Sequence, residues 1–153
     1  MRTLGNIIWH IPYFGFMSAF GVFIMGLLMI LTIIGIPVGF GLLQLSKFLF
    51  TPFSCAMVDK KEINIEDNSI WKSFNTIARI LYFPFGLMIS IMLIIQIVLM
   101  FVSLVGIPVA IVMSKALGTY FNPVNKVCIS KNLYDEIMAK KVKGDIDIKS
   151  ETI

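Results

Sequence analysis

Few side chains in this 153-residue chain could do chemistry at the depth where most of it lies. There is one histidine, His10, and no Asp or Glu occurs between Thr3 and Ser46 or between Ile80 and Ser114. General acid–base catalysis needs a donor and an acceptor within reach of the same atom, and these runs supply no such pair. Catalytic residues are therefore expected to be none. His10, Cys55 and Cys128 have no metal-ligand spacing, so no metal and no cofactor are expected. What remains is a set of isolated polar groups, Gln44, Lys47, Gln96 and Lys115. Gln96 is the one amide in the middle of an apolar run, where the first half of the chain has Met25. In lipid such a group must find another helix, a second subunit or a water path. Two chemistries fit: helix–helix adhesion with lysines that snorkel to the surface, or the lining of a path that favours anions.

The elements that must hold these groups are membrane-grade. Apolar residues make up 58 % of the chain, at a mean hydropathy of +0.89. The two uncharged runs are 44 and 35 residues long, against about 20 for one span. A soluble domain could not cover such surface with the polar residues left. A secretory leader is excluded by the length of the first run and its recurrence deep in the chain. The pI near 9 invites a nucleic-acid reading, but the basic residues Arg2, Lys60, Lys61, Lys72, Arg79, Lys126, Lys131, Lys140, Lys141 and Lys143 flank the apolar runs. That is the distribution of residues facing the cytoplasm and its anionic lipids. Lipid is the expected partner and nucleic acid is not. Cys55 and Cys128 fall near that face and are expected as free thiols.

A 71-residue repeat organises the whole. Gly35-Ile36-Pro37-Val38 returns as Gly106-Ile107-Pro108-Val109, and Phe14-Gly15 returns as Phe85-Gly86. Residues 14–53 match 85–124 at 12 of 40 positions, with both Gly-Ile-Pro triplets and the later Pro52 and Pro123 in register. Composition alone would not align these, so two copies of one unit are read. The expectation is an all-α integral membrane protein with two tandem repeats and a small cytoplasmic cap. Each repeat has a transmembrane helix, a Gly-Ile-Pro break and a shorter apolar helix. The boundaries are 1–58, a polar linker 59–72, 73–130, and a cytoplasmic C-terminal helix and tail at 131–153. Asn132 reads as the N-cap of that helix, and Gly144–Ile153 as a short strand or loose tail.

Local punctuation sets the breaks. Gly35 and Gly106 can take the left-handed conformation of a helix C-cap, Ile36 and Ile107 are pushed from the α region by the following proline, and Pro37 and Pro108 open new helices. The approaches carrying Trp9, Tyr13 and Tyr82 are expected to continue the spans, bent at Pro12–Gly15 and Pro84–Gly86. If each repeat is a hairpin, both turns face one side and both termini the cytoplasm. The alternative has one crossing per repeat, inverted copies, and the post-proline helices in the interface.

With Arg2-Thr3, Asn6-Ile7-Ile8-Trp9, Ile33-Ile34-Gly35-Ile36-Pro37-Val38-Gly39, its second copy at Gly106, and Phe50-Thr51-Pro52-Phe53, the chain resembles the YccF family of bacterial inner-membrane proteins over residues 1–130. The second copy departs from the pattern, with Arg79-Ile80-Leu81-Tyr82 where the family shows Asn-x-x-Trp, and with no Trp-Pro-x-Gly ending at Phe121-Asn122-Pro123-Val124. The resemblance implies a location and an architecture, supplies no activity, and implies a partner membrane protein. Two function classes follow. One is a structural or accessory inner-membrane component that packs with itself or with that partner. The other is an oligomeric channel or transporter whose pore or carrier site is formed by the broken-helix repeats.

Overall fold

The computed structural model describes residues 2–151 apart from Pro12, Tyr13, Asn64, Glu66, Asp67, Leu104 and Val105, with side chains for residues 3–142 of these. Tyr13, the Pro12 bend point, Asn64 and the Lys143 side chain thus lie outside the described residues. The elements run α1 (Arg2–His10), α2 (Gly15–Leu31), α3 (Ile36–Phe50), β1 (Cys55–Asp59), α4 (Ser69–Val102), α5 (Ile107–Phe121), β2 (Lys126–Ser130) and α6 (Lys131–Glu151).

Helices α2 and α3 form a tight antiparallel hairpin because small residues meet along its seam. Ser46 Oγ donates to Ala19 O at 2.8 Å, and a β-carbon on Gly39 would stand 2.7 Å from Gly26 O. Backbones this close gain dispersion and leave no void. In the second hairpin Gly86 lies against Phe121 O, and the Phe83 and Phe121 rings meet edge-on at 5.8 Å. The core forms where the return helices meet: Leu45, Val112 and Ala116 are fully buried, and Phe48 nearly so. On α2 only Gly15, Ala19 and Gly26 are buried, so Phe16, Met17, Phe20 and Leu28 point outward. Met88, Met92, Ile95 and Leu99 do the same on α4.

Several expectations are corrected. The chain is not all-α: β1 and β2 pair antiparallel, with Cys55 opposite Ser130 and Asp59 opposite Lys126. The strands are 67 or more residues apart, so no hairpin signal could announce them. The Gly-Ile-Pro breaks are not left-handed C-caps. Thr32 and Ser103 end the incoming helices in extended conformation. Gly35 (φ −80°) and Gly106 (φ −78°) are N-caps of the next helices. Ile36 is right-handed helical (φ −51°, ψ −51°): one 3-10 turn, Ile33–Gly35, leads directly into α3, and Pro37 sits in the first turn of α3, where its missing N–H is not needed. The approach α1 meets α2 at an 80° corner, far sharper than a helix kink, with Phe14 left-handed there (φ 49°). In the other half α4 runs unbroken through Pro84 for 34 residues. Gly144–Glu151 extends α6 as helix, where a strand or tail was expected.

The elements obey the 71-residue offset closely. Helices α3 and α5 each have 15 residues, and β1 and β2 five each, with starts and ends 71 apart. Met57 pairs with Cys128, which is its own offset position. Lys60 N donates to Asn125 O, and Lys131 N donates to Ser54 O, both at 2.9 Å; these two bonds too exchange under the offset.

Candidate functional site at the helix–sheet boundary

Polar groups concentrate where the strands lie on the return helices. After each return helix the chain turns at a buried proline, Pro52 or Pro123, before entering its strand. An asparagine from each approach holds that turn. Asn6 accepts from Phe53 N at 3.1 Å and donates to Ser54 Oγ at 3.1 Å, while Asn75 Nδ2 donates to Asn125 Oδ1 at 2.8 Å. An aromatic on the same approach caps the return helix. Trp9 Nε1 donates to Leu49 O at 2.9 Å and Tyr82 OH to Tyr120 O at 3.2 Å; the two acceptors are 71 positions apart. His10 Nε2 reaches Phe50 O at 2.8 Å. Tyr82 was legible as an approach aromatic, whereas Asn75 escaped sequence reasoning because it sits two residues before the strict repeat position of Asn6. A search tolerating a two-residue slip would have found it.

The four predicted polar residues do not converge. Gln44 Oε1 accepts from Cys128 N at 3.2 Å, which ties the sheet to α3. Lys115 is the offset counterpart of Gln44, and its Nζ lies 5.4 Å from the centre of the Phe53 ring, in cation–π range. Lys47 is exposed on α3 and its charge reaches Cys128. Gln96 stands apart, in a cleft of about 300 Å³ between Trp9, Ser18, Met100 and Met113. The helix-break residues Gly35, Pro37, Gly106 and Pro108 lie at the two turns.

Two further clefts flank the sheet. The larger, about 370 Å³, is lined by Gly41, Gln44, Lys60, Trp71, Asn75 and Lys126 among others; there Lys126 Nζ bridges to Asp59 Oδ2 at 2.9 Å. The second, about 270 Å³, is lined by Phe48, Cys55, Ala56, Met57, Lys115, Lys131 and Tyr134. Lys115 and Lys131 occupy in it the offset positions that Gln44 and Lys60 hold in the first.

Replacing Gln44 by Leu is expected to leave the half-buried Cys128 N–H without its acceptor and to cost about 1–3 kcal/mol. Chemical denaturation in detergent measures it, and an unchanged midpoint would show that the bond carries no load. Cys55 and Cys128 are free thiols. Burial, and then the neighbouring Cys55, push the Cys128 thiol up to about 12. An acid held this high stays protonated up to that pH, so its thiolate fraction at pH 8 is roughly a thousandfold below that of an ordinary cysteine. Iodoacetamide should therefore modify native Cys128 far more slowly than the unfolded chain; equal rates by mass spectrometry would contradict the burial.

The geometry defines a membrane protein. A span of 18 residues, Ile33–Phe50, and the 34-residue α4 are both long and apolar enough to cross a bilayer. A family model described as the inner membrane component domain, YccF, matches residues 4–54, which is α1 through the turn before β1. The match stops there. No curated protein matches the chain, and no solved structure does.

Proposed function

We propose that the chain is a small multi-pass inner-membrane protein without catalytic activity, a structural or accessory component built from two copies of one hairpin unit. The observation that carries this reading is the division of its surface. One side presents the exposed apolar residues of α2 and α4; the other presents the sheet, the Asp59–Lys126 ion pair and α6. Two antiparallel strands that pair at their own offset positions, Met57 with Cys128, imply a local two-fold axis perpendicular to the sheet. A charged sheet is stable only toward water, so this axis runs close to the membrane normal. The two hairpins then enter the bilayer in the same sense, with the sheet, the basic linker and α6 on the cytoplasmic side. Lys47 and Lys115 then lie under this polar cap, away from the bilayer centre, where buried ammonium groups would be costly. The bare apolar flank of α4 suits a second copy or another membrane protein.

The channel reading would need Gln44, Lys47, Gln96 and Lys115 around one path, whereas Gln44, Lys115 and Gln96 line separate clefts and Lys47 is exposed on α3. Planar-bilayer recording of the purified protein tests the choice. The accessory reading expects no conductance, for the native chain or for Lys47→Gln/Lys115→Gln. A conductance whose preference shifts toward cations in that variant would overturn it.

A further inference from the structure

We propose that the cleft between α5, β1 and the start of α6 is a site for the phosphate headgroup of an anionic phospholipid. The inference deepens the membrane reading above and rests on it. Lys115 projects from α5, and the Phe53 ring holds its ammonium at 5.4 Å. On the other side Lys131 lines the cleft, its backbone anchored by an N–H that donates to Ser54 O at 2.9 Å. The two charges are close enough that Lys131 acts electrostatically on Lys115. Tyr134, one turn along α6, completes the polar wall, and no carboxylate lines the cleft among the described residues. Two like charges held together on separate elements repel unless an anion lies between them. A phosphate diester with its oxygens toward both lysines and the Tyr134 hydroxyl supplies that anion.

The occupant is a lipid because of what adjoins the cleft. Ile111 and Ile107 lie one and two turns before Lys115 on the same helical stripe, and both are exposed, at 38 % and 37 %. They form an apolar track leading away from the lysines, along which an acyl chain can run. The volume of about 270 Å³ accommodates a headgroup and not the chains. At the counterpart cleft Gln44 replaces Lys115, and Lys126 is paired with Asp59. That side has an amide where this one has the Lys115 ammonium, so one strong site per chain is expected.

The experiment is native mass spectrometry of the detergent-purified protein titrated with phosphatidylglycerol, with phosphatidylcholine as the neutral control. One phosphatidylglycerol should be retained preferentially. Lys115→Gln/Lys131→Gln should weaken it about thirtyfold, whereas Lys140→Gln/Lys141→Gln on the exposed face of α6 should leave it unchanged. The thermal transition of each variant separates loss of binding from loss of fold, and Lys115→Arg/Lys131→Arg should retain the lipid. Equal losses in both Gln pairs would overturn the proposal in favour of diffuse surface charge. Displacement of the lipid by millimolar inorganic phosphate would overturn the lipid assignment in favour of a free-anion site. Retention in the Lys115→Gln/Lys131→Gln variant would overturn the site itself. None of these outcomes depends on whether the protein conducts ions, so failure here is distinguishable from failure of the accessory reading.

Discussion

Gly41→Leu is expected to prevent recovery of a folded protein. Gly41 stands where α3 meets the turn into β2, and a β-carbon there collides with the carbonyl oxygen of Pro123. The obstacle is backbone, and Pro123 is itself fully buried, so no rotamer change relieves it. Overpacking in a filled core costs about 1–3 kcal/mol when side chains can yield. Here the return helix and the sheet must separate, and the loss should exceed that range. Size-exclusion chromatography after mild detergent extraction provides the test. A monodisperse Gly41→Leu protein with the parent's thermal midpoint would show that α3 and the β2 turn do not touch as described. Gly21, which has open space around it, supplies the control: Gly21→Leu should fold normally.

Gly35→Leu and Gly106→Leu should each destabilise strongly, for a reason the sequence did not reveal. Neither residue is left-handed, so the strain is not in φ. A β-carbon on Gly35 runs into the carbonyl of Met29 and the Thr32 hydroxyl, which itself donates to Met29 O at 2.7 Å. On Gly106 it would stand 2.5 Å from Met100 O. The close return of the chain over the last turn of the incoming helix leaves no room for any side chain. Ala should therefore be nearly as harmful as Leu at both sites, whereas a left-handed cap would have predicted rescue by Asn. Equal stability of Gly35→Asn and the parent would restore the discarded explanation.

How much was legible follows from the range of each interaction. The hairpin helices were visible because proline, glycine and apolar runs act locally, and α3 and α5 each begin one residue before the proline expected to open them. The 71-residue offset relates Gln44 to Lys115. It did not expose their task, because the partner of Gln44 is the N–H of Cys128, 84 residues away. The sheet was hidden for the same reason. Cys55–Asp59 carries a single β-branched residue, and its partner strand lies beyond the whole second hairpin. The different approaches, a sharp corner at α1 and an unbroken α4, arise from nearly matched sequences: Pro12 and Pro84 each precede a Phe-Gly pair, but Pro12 stands one residue farther from its pair.

The central claim is that two like-oriented hairpins share one polar sheet on the cytoplasmic side. Single-cysteine labelling from outside intact cells tests it directly, in a Cys55→Ala/Cys128→Ala background. Two pairs of offset-related, exposed positions serve: Thr32 and Ser103 at the turns, Lys61 and Asn132 beside the sheet. A membrane-impermeant maleimide should label Thr32→Cys and Ser103→Cys alike, and should reach Lys61→Cys and Asn132→Cys only after the membrane is opened. Labelling of Thr32→Cys and Ser103→Cys from opposite sides, or of either sheet position in intact cells, would contradict it.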